Sequence, residues 1–156
     1  MTDVQPIPAG YPRVTPYLFV DGAADAIEFY KTVLAADEKA RMDGPDGKVG
    51  HAELKIGESL IMVADEFPEM GSRSPKSVGG TPVAIHVYVE DVDSVFASAL
   101  ASGAKQLSEV TDEFYGDRTG GFEDPWGHSW YVATHVEDVP PAEMEKRAAE
   151  AMSGMR

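Results

Sequence analysis

Two of the four histidines in this chain sit two residues from a group of complementary chemistry. His51 is followed by Glu53, and His86 by Tyr88. In an extended chain residues i and i+2 point to the same side, so each pair would share one face of a strand. An imidazole titrates near neutrality, and a neighbouring carboxylate can orient it or act as the acid, which is the pattern general acid–base chemistry needs. Tyr17 and Phe19 repeat the same spacing with two rings, and Tyr131 adds another phenol. Facing inward together, Tyr17, Phe19, His51, Glu53, His86, Tyr88 and Tyr131 would suit the lining of a pocket better than a plain core. Each also has a structural role open to it. A strand histidine can bond a backbone carbonyl or face water, a glutamate can be solvated, and aromatic rings can fill a core.

Other chemical signatures are mostly missing. There is no cysteine, hence no disulfide framework and no thiol nucleophile. Gly116, Gly120 and Gly121 lack the Lys-Ser/Thr pair of a phosphate loop and the strand-to-helix setting of a dinucleotide fingerprint. No Gly-x-Ser-x-Gly elbow occurs. Asp124-Pro125-Trp126-Gly127-His128 reads as a turn, with Gly127 supplying a backbone state closed to most residues. His128 at its exit and His135 beyond the next strand are poor metal candidates. Ser72-Arg73-Ser74-Pro75-Lys76 is a basic patch that could offer Arg73 or Lys76 to an anion from a surface flap.

The elements that must position these residues occur twice. Thr15-Pro16, Val20-Asp21-Gly22 and 50–62 reappear, offset by about 70 residues, as Thr81-Pro82, Val89-Glu90-Asp91 and 120–132. A period of that length implies two modules completing one another. In the first, 14–20 reads as a strand, with Pro16 suited to its start, and Ala23, Ala26, Ile27, Tyr30, Val33 and Leu34 fall at helical spacing. A weaker strand over 37–42 and a turn over 43–47 follow. The strands 51–56 and 59–64 then form a hairpin around Gly57-Glu58, with Ala52, Leu54 and Ile56 on one face. In the second, 82–89 is a strand and 92–101 a helix capped by Asp91 or Asp93. Beyond Gly103, 105–111 is a weak strand and 113–121 a loop containing Tyr115 and Arg118. Phe122 and 129–134 make the last hairpin. The expected organisation is an arm over 1–13, a module over 14–65, a linker or flap over 66–80, a module over 81–135, and a tail over 136–156 with a short helix after Pro140-Pro141.

Twenty-seven acidic against thirteen basic residues give a net charge of -14, which disfavours nucleic acid and anionic membranes as partners. The same field could draw a cationic ligand toward a cleft. No run of 18 apolar residues exists to span a bilayer, and Met1-Thr2-Asp3 opens without a basic flank or apolar stretch, so no secretory signal is expected. A cytoplasmic protein is the expectation.

The order strand, helix, three strands, repeated once, resembles the vicinal oxygen chelate superfamily of glyoxalases, extradiol dioxygenases and bleomycin-resistance proteins. It is most similar to its PhnB-like, glyoxalase/bleomycin-resistance branch. The resemblance runs from 14 to 135 through 15–20, 24–30, 51–57, Leu60-Ile61-Met62 and 124–128. It implies an α+β fold of two βαβββ modules forming a cupped mixed sheet, and a homodimer. Metal-dependent members carry His or Glu ligands at positions that fall here on Thr15, Ile61 or Met62, Ala84 and Tyr131. None offers an imidazole or carboxylate, so no metal and no cofactor are expected. The leading expectation is a metal-independent protein binding a small-molecule ligand through the seven residues named above. The alternative is a lyase or isomerase, with His86 as base, Glu53 polarising it or serving as acid, and Tyr88 steadying negative charge. In that alternative, a non-standard metal site could use His51, Glu53 and His86.

Overall fold

The computed structural model describes residues 3–154; the first two residues of the expected arm and the last two of the expected tail lie outside the described residues. The chain forms two compact units, residues 1–80 and 81–156. Each contains a four-stranded mixed sheet of the same topology, as the α+β expectation of two βαβββ modules requires.

In the first unit, β1 (Tyr17–Val20) leads into α1 (Ala23–Leu34), and β2 (Asp37–Asp43), β3 (Val49–Ile56) and β4 (Ser59–Asp65) follow. The sheet order is β1-β4-β3-β2, with β1 parallel to β4 and the remaining neighbours antiparallel. The first strand is shorter than its apolar pattern suggests. Pairing starts at the Pro16 carbonyl, which accepts from Met62 N, because proline has no N–H to offer. One sheet face, with Leu18, Val20, Ala52, Leu54 and Val63, is buried together with Ala23, Ala26, Ile27, Tyr30 and Val33 of α1.

The start of α1 has no capping side chain of its own, since its N-cap is Gly22 with φ 113°. Asp65 caps it from the end of β4. Its Oδ1 accepts from Gly22 N and Ala23 N at 2.9 Å each, and its Oδ2 from Val49 N at 2.7 Å. Residues 66–80, expected from composition to link or cover the modules, are held to this unit. Glu66 accepts from Ser74 N and Ser77 Oγ, and Ser74 is buried at the start of the four-residue helix α2 (Pro75–Val78).

The second unit runs β5 (Ala84–Tyr88), α3 (Val92–Ala101), β6 (Lys105–Asp112), β7 (Asp117–Glu123), β8 (Ser129–His135) and α4 (Pro141–Ser153), with sheet order β5-β8-β7-β6. Here Thr134 does the work of Asp65: its hydroxyl accepts from Val92 N and donates to Val89 O, while Asp91 caps Ser94 N. The expected loop over 113–121 is corrected. Only 113–116 turns, and β7 begins at Asp117. Gly120 and Gly121 hide the strand in the sequence, yet both are needed there. A Cβ on Gly120 would come within 2.8 Å of Val110 and 3.0 Å of the Phe96 ring, and one on Gly121 within 2.6 Å of the Tyr131 ring. The turn at Asp124 forms as expected: its Oδ1 accepts from Trp126 N and His128 N, its Oδ2 from Trp130 Nε1, and Gly127 has φ 98°. Among the described residues no helix is long and apolar enough to cross a membrane.

Replacing Asp65 by Ala removes three charge-assisted bonds at once and is expected to destabilise the protein by about 2 to 4 kcal/mol in urea denaturation. A loss below about 1 kcal/mol would mean that water replaces the carboxylate at no cost.

Candidate functional site

The strand alternation that sends Leu18, Val20, Ala52 and Leu54 toward α1 sends Tyr17, Phe19, His51 and Glu53 to the opposite face of the first sheet. Register places Tyr17 and Glu53 on either side of Met62, and Phe19 beside Ala64. The Tyr17 and Phe19 rings stack at 4.7 Å with 19° between planes. They line a cavity of about 350 Å³ with Val49, Ala64, Phe67, Met70, Ser72, Lys48, Asp65 and the 44–50 turn. Phe67 and Met70 are large apolar side chains left exposed, 48% and 80%.

A chain of hydrogen bonds runs from that wall. The Tyr17 hydroxyl meets His51 Nδ1 at 2.7 Å, His51 Nε2 meets Glu53 Oε2 at 2.8 Å, and the Tyr11 hydroxyl donates to Glu53 Oε1. Hydrogen bonds from His51 and then Tyr11 lower the Glu53 pKa below the usual carboxylate value. An ionised carboxylate only accepts, so in the neutral imidazole Nε2 carries the hydrogen and Nδ1 receives the Tyr17 proton. Burial, and then the Glu53 charge, raise the Tyr17 pKa, so the phenol stays protonated. Tyr17 is thereby fixed in direction, and its oxygen retains a lone pair for a ligand donor. Tyr11 was missed in the sequence because it lies in a proline-rich arm with no periodicity to place it.

On the corresponding face of the second sheet, His86 pairs in register with Tyr131, and its ring lies 5.0 Å from that of Tyr88. Gly121 pairs with Tyr131 and leaves room for its ring. The Tyr88 hydroxyl donates to Asp117 Oδ2 at 2.6 Å. Asp117 is buried and also meets His135 Nδ1 at 2.8 Å, while His135 Nε2 meets Asp138 at 2.7 Å. In the sequence Asp117 falls in a stretch with loop composition and His135 follows the last strand of its module, so neither signals this pairing. Of the groups in the enzyme alternative, Glu53, expected to polarise the base or serve as acid, is engaged by His51 and Tyr11, and Tyr88, expected to steady negative charge, is engaged by Asp117.

The positions that the resemblance implies for metal ligands carry no imidazole or carboxylate here. Register resolves the alternative at 61 and 62: Ile61 is buried opposite Leu54 while Met62 lies level with Glu53 and Tyr17, so the position offers a thioether at best. Thr15 in the first unit, and Ala84 and Tyr131 in the second, likewise carry no imidazole or carboxylate, the side chains a divalent ion takes most readily. Among the described residues no three His, Asp or Glu side chains gather as a metal site.

The family described as the Glyoxalase/Bleomycin resistance protein/Dioxygenase superfamily matches residues 11–132. An uncharacterized protein of Mycobacterium bovis is 43% identical over 137 residues, 86% of this chain and 90% of its own. The solved PhnB protein of Bacillus cereus is similar with a TM-score of 0.62 at 19% identity, over 79% of this chain and 99% of that one. The fosfomycin resistance protein FosX of Listeria monocytogenes, solved with Mn(II) and sulfate, gives 0.63 at 16% identity, over 88% and 97%. At such identities these two structures speak for the fold alone.

Two titrations check the electrostatics, with opposite signs. Because the Glu53 pKa is lowered on folding, its contribution is present above the ordinary carboxylate value and fades as pH falls through its folded value. Denaturation curves between about pH 6 and 3 should show a pH-dependent component in the wild type that Glu53→Gln lacks. Identical pH slopes would contradict the pairing. Bonds to Asp117 and then Asp138 raise the His135 pKa, so its contribution is complete below the unfolded value and disappears as pH rises through the folded one. Its ring resonances in NMR should titrate above pH 6.5; a midpoint at or below that value would contradict the clamp.

Proposed function

We propose that this chain, which belongs to the Glyoxalase/Bleomycin resistance protein/Dioxygenase superfamily, binds a small organic molecule on the first unit's sheet without using a metal ion. One observation carries the reading. Tyr17 and Phe19 stack on one another at the wall of a cavity, instead of lying under α1 as Leu18, Val20, Leu54 and Val63 do. Stacked rings present a flat apolar surface to a planar group at little conformational cost. The volume of about 350 Å³ is at the small end of ligand sites, which suits a compound of one or two rings.

Specificity in such a site comes from a few placed polar groups. Tyr17, directed by His51 and Glu53, is one of them. His86, Tyr88 and Tyr131 share the equivalent face of the second sheet, and the proposal includes them as a second ligand-contacting surface. It also includes a homodimer and a cytoplasmic setting.

A thermal-shift screen of planar metabolites and drug-like compounds, run in the presence of a chelator, tests this. At least one compound should raise the melting temperature, and Phe19→Ala should remove the shift while the variant still unfolds cooperatively. A shift that requires added divalent metal, or no shift from any compound, would overturn the reading.

A further inference from the structure

We infer that the cavity of the first unit selects planar aromatic ligands carrying an anionic group, a carboxylate in the first instance, with Lys48 as the anion's partner. This deepens the pocket reading proposed above and rests on it. The net charge of -14 suggests the opposite preference, for cations. The local arrangement decides otherwise, because exposed charges more than about 8 to 10 Å away are largely screened at physiological salt.

Asp65 lines the cavity and Glu66 follows it in the chain, and both carboxylates already accept several hydrogen bonds. The Asp65 oxygens accept from Gly22 N, Ala23 N and Val49 N, which leaves about one of the roughly four lone-pair sites of the carboxylate for a ligand. Glu66 accepts from Ser74 N and Ser77 Oγ. A cationic ligand would find few acceptor sites left on either group, and a bond to an occupied one would displace a donor.

Lys48 is in the reverse condition. Its backbone is fixed, with its carbonyl accepting from Gly44 N at 2.7 Å and its N–H reaching Pro45 O, which holds the residue at the cavity lining and leaves its side chain exposed. Among the described residues its ammonium forms no ion pair, whereas Lys31, Lys39 and Arg41 of the same unit are each paired with carboxylates. Its charge is felt at Glu66, which is engaged elsewhere. An ammonium carries three donors and a flexible stem, so it can meet a carboxylate in several poses. Ser72 adds a hydroxyl to the same lining. The apolar part of the ligand would lie on Tyr17 and Phe19, with Phe67 and Met70 closing over its edge.

Three probes of matched shape separate the outcomes: 2-naphthoate, 2-naphthamide and 2-naphthylmethylammonium, titrated by calorimetry into wild type, Lys48→Gln and Phe19→Ala. The wild type should bind the carboxylate at least about tenfold more tightly than the amide, and the ammonium most weakly. Lys48→Gln should erase the preference for the carboxylate while leaving amide affinity within about twofold. Phe19→Ala should weaken all three. Equal affinity for the carboxylate and the amide, tighter binding of the ammonium, or a preference that survives Lys48→Gln would overturn the anion assignment and leave the pocket standing. No binding of any probe would overturn the pocket reading with it.

Discussion

The carboxylate of Asp65 joins three pieces of chain that side-chain packing alone would leave free to slide. It ends β4, caps α1 from outside because Gly22 has no side chain to do so, and holds the first amide of β3. Two and four residues beyond that amide come His51 and Glu53, and one residue before the carboxylate comes Ala64, which lies beside Phe19. The strand period then fixes the rest. Once the ends of β3 and β4 are tied to the start of α1, Tyr17, Phe19, His51 and Glu53 must all lie on the face that α1 does not cover.

The two units use one plan with different chemistry at equivalent points. Thr134 stands where Asp65 does, exchanging a charged cap for a hydroxyl that bonds Val92 and Val89. Glu53 lies across from Met62, and at the corresponding place Gly121 lies across from Tyr131, whose ring occupies the space a side chain there would need. The hydrogen-bonded relay therefore belongs to the first unit. In the second unit the polar weight has moved to the end of the sheet, where Asp117 gathers Tyr88 and His135.

Much of this was legible in the sequence. The helices Ala23–Leu34 and Val92–Ala101 could be read to the residue because apolar spacing and the flanking Gly or Asp coincide. The shared face of Tyr17, Phe19, His51 and Glu53 followed from period-2 spacing. What could not be read depends on contacts distant in sequence. Gly120-Gly121 look like a loop until Phe96, Val110 and Tyr131 are seen to fill the space their side chains would take. Tyr11 has no periodic context, yet it meets Glu53 42 residues away. That Lys48 lines the same cavity as Tyr17 and Phe19 could not be read either, since it depends on how the turn that carries it folds.

The most direct test of the account is a crystal structure of the protein with a compound identified by its thermal shift. Difference density should lie against an outer face or the edge of the Tyr17–Phe19 stack, with a polar ligand atom about 3 Å from the Tyr17 hydroxyl and the His51–Glu53 contact intact. Density elsewhere on the protein, with the Tyr17–Phe19 surface bare or collapsed onto Met70, would contradict it.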